Sequence, residues 1–256
     1  MRSIVLAAAV SVACASPPAR PRTAEAVTRV RDDLSLREIA PGVLLHTSWH
    51  TLPDVGPFPS NGLVVLGARE ALVVDTAWGE APTVALFDHI ERALHHRVTH
   101  LVVTHAHDDR VGGIREALRR GVVVHALDLT ATRAVADGYP PPTETFAREA
   151  TLDVEGVRAE VFFPGAAHAP DNVVVWLPAT RVLFGTCMIR AGDARALGNL
   201  SDASIDTWGD AVRSVARRFP SPAIVVPGHG DVGDASLLAH TISLVESALR
   251  ARDAGR

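Results

Sequence analysis

Thr104-His105-Ala106-His107-Asp108-Asp109-Arg110 follows the apolar run Leu101-Val102-Val103 and precedes Val111-Gly112-Gly113-Ile114, which opens a helical pattern. The stretch reads as a strand end, a tight turn and a helix start, the place where α/β proteins present ligands. His105 and His107 are two residues apart, so both leave an extended strand end on the same side. Imidazole and carboxylate suit zinc, whose sites want about four donors and keep one position open when the metal is catalytic. The turn alone cannot complete such a site. A His-rich surface turn would look the same locally, and the rest of the chain decides between the two.

Further donors stand at other strand ends. His168 lies in Pro164-Gly165-Ala166-Ala167-His168-Ala169-Pro170-Asp171-Asn172, directly after an apolar run. Cys187 follows Leu183-Phe184-Gly185-Thr186, and His229 sits in Val225-Val226-Pro227-Gly228-His229-Gly230. A single His in a turn is more often structural than a ligand. Four such turns with zinc-type donors at their tips argue against coincidence.

Composition narrows the chemistry. At 256 residues and 47% hydrophobic content, the chain can bury a sizeable core, as one large or two small domains. A net charge of −4 implies no nucleic-acid or membrane-surface partner. All 25 Lys-plus-Arg residues are Arg. The absence of Lys removes Schiff-base chemistry and any Ser-x-x-Lys acylation centre. Met1-Arg2, apolar Ile4 to Val12 and Ala13-Cys14-Ala15 read as a secretory signal over residues 1–15. Ala13-x-Ala15 permits cleavage before Ser16. Ser11-Val12-Ala13-Cys14 also resembles a lipoprotein box that would anchor the protein through Cys14. Once Cys14 is cleaved off or lipidated, Cys187 is the one thiol left, and metal coordination or burial must explain it.

Residues 16–33 read as a loose leader and 34–256 as a single domain. Strands are expected at Leu34 to Ile39, Val43 to Trp49, Leu63 to Leu66, Ala71 to Asp75, Val98 to Thr104 and Val122 to His125. Between them His50 to Pro59, with three Pro, reads as a loop carrying Phe58. Helices are expected at Pro82 to Leu94, Gly113 to Arg120 and Asp128 to Asp137, the last capped by its Asp. The second half repeats the logic: strands at Val157 to Phe163, Asn172 to Leu177, Val182 to Phe184 and Ala223 to Val226, helices at Ala203 to Arg217 and Ala235 to Arg252. Two strand-rich halves, each ending in helices, predict an α/β sandwich of two sheets with helices outside, layered αββα.

The order His-x-His-x-Asp-Arg, His168, Cys187 and Gly-His229-Gly resembles the class B metallo-β-lactamases, in the di-zinc broad-spectrum subclass with Cys in its second metal site. The resemblance runs from about Val43 to Leu249 and includes Pro59-Ser60-Asn61-Gly62 and Asp75-Thr76-Ala77-Trp78-Gly79. Thioesterases of the glyoxalase II type, in the same superfamily, carry His after the motif Asp and usually Asp in the Cys position. Arg110 and Cys187 separate this chain from them.

The resemblance implies two zinc ions. His105, His107 and His168 would form the first site, and Asp109, Cys187 and His229 the second. Asp109 and Asn199 would take part in catalysis, Asn199 facing the lactam carbonyl. Arg190, where the family often has Lys, would bind the substrate carboxylate, unless it is a solvated loop charge. Arg110 would orient Asp109 or Cys187, while Asp108 would point elsewhere. Trp49, Phe58 and His50 would belong to a loop covering substrate side groups. His46 has no assigned role. The implied activity is zinc-dependent opening of the β-lactam ring of penicillins, cephalosporins and carbapenems, by a periplasmic monomer. Another exported hydrolase, of an ester, thioester or lactone, is the alternative.

Overall fold

The computed structural model describes residues 26–53 and 55–255, so the signal segment and Cys14 lie outside the described residues. One sheet contains, in spatial and chain order, β1 (Val27–Arg31), β2 (Leu34–Ala40), β3 (Val43–Leu52), β4 (Gly56–Leu66), β5 (Glu70–Val74), β6 (Arg97–Val103), β7 (Val123–Leu127) and β8 (Glu144–Phe146). Helices α1 (Glu80–Arg92), α2 (Asp108–Val111), α3 (Ile114–Arg119) and α4 (Asp128–Ala136) punctuate its parallel half. The second sheet is built from β9 (Glu149–Val154), β10 (Val157–Phe162), β11 (Val174–Leu177), β12 (Val182–Thr186) and β13 (Ile224–Pro227), in the order β13-β12-β11-β10-β9. Helices α5 (Ile205–Arg218) and α6 (Ser236–Ala254) complete it.

Three apolar clusters between the elements define four layers. Leu86, Phe87, Ile90 and Ile114 pack on Val73, Leu101 and Val103. Leu63, Val65, Leu72 and Val102 meet Val161, Val175, Phe184 and Val226 between the sheets. Leu183 and Val225 face Trp208, Val212 and Val245 on the far side. Side chains alternate across a strand, so Leu183 and Phe184 serve different clusters. Both faces of the central strands are covered, which is why their sequences are continuous apolar runs. The expected αββα sandwich is the fold observed.

Three local differences have physical causes. Val27–Arg31, placed in the leader by its composition, forms an exposed edge strand on β2. The proline-rich loop expected at His50 to Pro59 is instead the end of the β3–β4 hairpin, with Trp49 opposite Pro59 and His50 opposite Phe58. Pro57 and Pro59 share the parity of Asn61, whose N–H points away from β3 to Gly228 O at 2.9 Å. Their missing donors therefore fall on the side that β3 does not use, where proline is tolerated in a strand. Asp128 begins α4 but makes no capping bond; Leu127 occupies the cap position.

Candidate metal centre

The donors gather at the ends of β6, β10, β12 and β13. His105 and His107 follow β6, His168 follows β10, Cys187 follows β12 and His229 follows β13. They form two groups: the ligand atoms of His105, His107 and His168 lie within 4.8 Å of one another, and so do those of Asp109, Cys187 and His229. Neither the turn at 104–110 nor any other turn holds a full group.

In the first group His105 is fully buried, and its Nε2 has no hydrogen-bond partner. Its Nδ1 faces the hydroxyls of Thr104 at 3.3 Å and Thr186 at 3.4 Å, which fixes the ring. His107 Nδ1 and His168 Nε2 face each other at 3.2 Å. Burial lowers the pKa of His105, and it pushes His168 down to about 3, with the neighbouring His107 adding to the shift. His105 and His168 are therefore held neutral at pH 7, and their ring nitrogens converge with that of His107 on one point. Tetrahedral zinc with Zn–N of about 2.0–2.1 Å sets neighbouring nitrogens roughly 3.3 Å apart. The 3.2 Å separation fits that edge.

In the second group Cys187 Sγ lies 3.2 Å from His229 Nε2 and 4.0 Å from Asp109 Oδ2, and His229 Nε2 is 3.5 Å from that oxygen. These separations bracket the roughly 3.3–3.6 Å edges of a zinc tetrahedron with one sulfur. His229 is oriented by Pro59 O, 2.7 Å from its Nδ1, and burial pushes it down to about 4. Burial alone would raise Asp109, but Arg110 and the nearby histidines hold it below the usual carboxylate range. Burial pushes the Cys187 thiol up to about 12 even though Arg110 opposes it. A cation that binds here must displace the thiol proton. Both groups fit zinc, and the second, with thiolate and carboxylate, is the softer and more negative of the two.

Arg110 knits the second group to the core. It is fully buried, with Nη2 2.8 Å from Asp109 Oδ2, 3.0 Å from Cys187 Sγ and 3.0 Å from Gly228 O. Its Nη1 donates to Asn61 O and lies 3.3 Å from Asp75 Oδ2. Arg110 thus touches both candidate ligands that the sequence offered it. Gly228 must lack a side chain, because a Cβ there would stand 2.7 Å from Cys187 Sγ and 2.8 Å from Arg110 Nη2. Thr186, just before Cys187, holds a left-handed φ of 49°, an uncommon conformation for a β-branched residue. Its hydroxyl meets Thr104 Oγ1 at 2.9 Å, tying the β12 turn to the His motif.

Both groups open on a cleft of about 400 Å³ lined by Leu52, Phe58, Trp78, Asp108 and Asn199, among others. Phe58 reaches it, with its ring 4.9 Å from that of His229. Trp49 does not, contrary to expectation: it lines a separate groove with Leu45, Thr47 and Pro59. His50 and Phe58 are cross-strand partners, as are Trp49 and Pro59, so strand alternation sends the two pairs to opposite faces. His50 stacks on Trp78 at 5.1 Å. Asn199 lines the cleft, and its Oδ1 accepts from Ser201 N at 3.0 Å, leaving the amide nitrogen free to donate. Asp108 turns away from the second group: it accepts from Trp78 Nε1 at 2.8 Å and from the Tyr139 hydroxyl.

Arg190 lies beside the cleft rather than in its lining, with its guanidinium against Gly198. It is half-buried, its Nε is buried without a partner, and among the described residues it makes no ion pair. Burial lowers its pKa, which Cys187 and Asp193 partly offset. It is not a solvated loop charge. His46 is a core residue: fully buried, bonded through Nε2 to Asp75 O at 3.2 Å, and pushed down to about 4 by burial. Gly62 makes room for it.

Sequence reasoning assigned no role to several residues that build the site. Ser60 Oγ donates to Asp109 Oδ2 at 3.2 Å, and Asn61 Nδ2 donates to Pro227 O and Gly230 O at 3.0 and 2.8 Å, pinning the His229 turn. Asp202 Oδ2 receives His107 Nε2 at 2.9 Å, the carboxylate–imidazole pairing that orients metal ligands. Ser60 and Asn61 lie in the quoted motif Pro59-Ser60-Asn61-Gly62, which was the signal available. Asp202 carries no local signal.

The model of the metallo-β-lactamase superfamily matches residues 55–229, and the chain belongs to that superfamily. Within it, the chain is similar to the metallo-beta-lactamase type 2 of Bacillus cereus, 35% identical over 218 residues that make up 83% of each chain. It is likewise similar to the metallo-beta-lactamase type 2 of Bacteroides fragilis, 35% identical over 222 residues, 87% of this chain and 89% of that one. The solved structure of a metallo-beta-lactamase from Pontibacter korlensis superimposes with a TM-score of 0.81 at 40% identity, covering 83% of this chain and 99% of that one.

Proposed function

We propose that this protein hydrolyses the amide bond of β-lactam antibiotics in a zinc-dependent reaction and so confers resistance to them. The observation that carries the reading is the pair of three-donor groups facing one cleft, each one donor short of the about four that zinc wants. Zinc bound there supplies a Lewis acid and lowers the pKa of water towards neutrality. The chain's own residues do the rest. His105, His107 and His168 hold one ion, and Asp109, Cys187 and His229 a second. Arg110 keeps Asp109 ionised and aligned. Asn199 donates its amide towards the lactam carbonyl, where charge develops as the ring opens. Arg190, a half-buried cation that makes no ion pair among the described residues, receives the substrate carboxylate at the edge of the cleft. Phe58 and Leu52 shield the substrate side group from water. The apolar run from Ile4 to Val12 supports export to the periplasm, with release as a soluble monomer or anchoring through Cys14.

The test is hydrolysis of a penicillin, a cephalosporin and a carbapenem, each before and after exhaustive chelation. Activity should vanish with the metal, return on adding zinc, and persist with inhibitors that acylate serine. Full activity in a protein shown by metal analysis to be empty would sink the proposal.

A further inference from the structure

The contacts around His107 continue past the cleft into helix α4. Asp202 Oδ2, paired with His107 Nε2 at 2.9 Å, also accepts from Arg133 Nη2. Arg133 Nε faces Asp171 Oδ1 at 3.4 Å, an ion pair too poorly aligned to count as a hydrogen bond. Asp171 is fully buried, and its other oxygen accepts from the backbone N–H of Ala106 at 2.9 Å. Ala106 and His107 are neighbours, so the contacts close a ring: Ala106 to Asp171, Arg133, Asp202 and back to His107. Helix α4 contributes the one cation in it.

Asp202 also belongs to the segment that carries Asn199. Within that segment Asn199 bonds Ser201 and Ala203 bonds Leu200, which are internal contacts. Outward, Ala203 packs on the cluster around Trp208, Ser204 N donates to Ala167 O at 2.7 Å, Ser204 O accepts from Thr207 and Trp208, and the Asp202 side chain reaches His107. Asp202 therefore joins the Asn199 loop to His107, and Arg133 shares the same carboxylate oxygen.

We propose that Arg133 is a positioning residue that locks Asp202 onto His107, coupling metal binding at the three-His group to the placement of the Asn199 loop. The coupling rests on the reading of that group as a metal site. An ionised acceptor at Nε2–H holds the His107 tautomer that leaves the Nδ1 lone pair facing His168. Metal at Nδ1 makes the Nε2–H a stronger donor to Asp202. By reciprocity, whatever Asp202 adds to metal affinity, metal adds to the ordering of the loop. Arg133 suits the task because one planar guanidinium bridges two carboxylates at fixed spacing, whereas an ammonium is a single point charge. With a third of its side chain exposed, Asp202 would otherwise divide its time between His107 and water.

The test uses the full chain stripped of metal, titrated with zinc against a chelating indicator and with cobalt by absorbance. Arg133→Ala should weaken the three-His group about 10- to 100-fold, the loss found when outer partners of ligating histidines are removed. The thiolate-to-cobalt band that reports Cys187 should saturate as in wild type. Arg133→Lys should recover part of the loss. Amide exchange over residues 199–204 should slow on adding zinc to wild type and not in Arg133→Ala. Unchanged affinity in Arg133→Ala would overturn the proposal, as would an equal loss at both groups with no recovery by Lys. If Arg133→Ala does not fold, Asp202→Asn takes its place, with the same weakening expected and unchanged affinity equally fatal. A wild type that binds no metal at the three-His group would overturn the metal-site reading as well; a null variant effect with normal wild-type binding overturns the coupling alone.

Discussion

Arg110→Ala removes a fully buried guanidinium that stands 2.8 Å from Asp109 and 3.3 Å from Asp75 and leaves both carboxyls without their cation. Removing one partner of a buried ion pair costs about 3–5 kcal/mol, chiefly because the remaining charge is stranded. At about 2–4 °C per kcal/mol for a domain of this size, the midpoint of thermal unfolding should fall by about 6–20 °C. The pH dependence carries the mechanism. Burial raises Asp75 to about 7 even with Arg110 beside it, so its folded pKa lies above the ordinary 3.8. A carboxyl raised in this way weakens the fold as pH rises above its unfolded pKa and the folded form must ionise. Without Arg110 the folded pKa moves higher still. Asp109, now held below its ordinary value, loses that benefit and shifts the same way. The gap between wild type and variant should therefore lie near the low end of the range at pH 5 and near the high end at pH 8. Urea unfolding of the chelated proteins, followed by circular dichroism across that range, measures it. A gap below about 1 kcal/mol, or one that narrows with rising pH, would refute the account of Arg110 as the charge that holds these carboxylates.

Cys187→Ser should leave about one tight zinc site, because a hydroxyl is a harder and less acidic donor than a thiol. Two equally tight sites in a zinc titration would remove Cys187 from the ligands. Arg190→Ala should mainly raise KM, lowering kcat/KM about ten- to a hundredfold, since a charge-assisted bond contributes roughly 1.5–3 kcal/mol in ground and transition states alike. Esterifying the substrate carboxylate should hurt wild type far more than this variant; an equal penalty in both would place the anchor elsewhere.

Much of this protein was legible because its signals are periodic or chemical. Continuous apolar runs such as Leu101-Val102-Val103 marked strands covered on both faces, and His168, Cys187 and His229 stood out as zinc-type donors at strand ends. The hairpin was harder. Three prolines spoke for a loop, and only the pairing of β4 with β3 on one side showed where the missing donors of Pro57 and Pro59 would do no harm. The same pairing sent Trp49 away from the cleft and Phe58 into it, a choice of register that composition does not carry.

By itself, then, the sequence determined the layered α/β fold and the identity of the donors, since burial pattern and ligand chemistry belong to each residue locally. The resemblance implied how the donors divide, and the tertiary structure brings each group together in space. His168 is 61 residues from His107, and Cys187 is 42 from His229, yet each pair meets at 3.2 Å. The structure also showed that Arg190 is half-buried with its Nε enclosed, and that Arg133 and Asp202 reach the His motif from elsewhere in the chain. Such contacts are set by how strands register and layers pack, and side chains that act across layers leave no spacing for a linear reading to find.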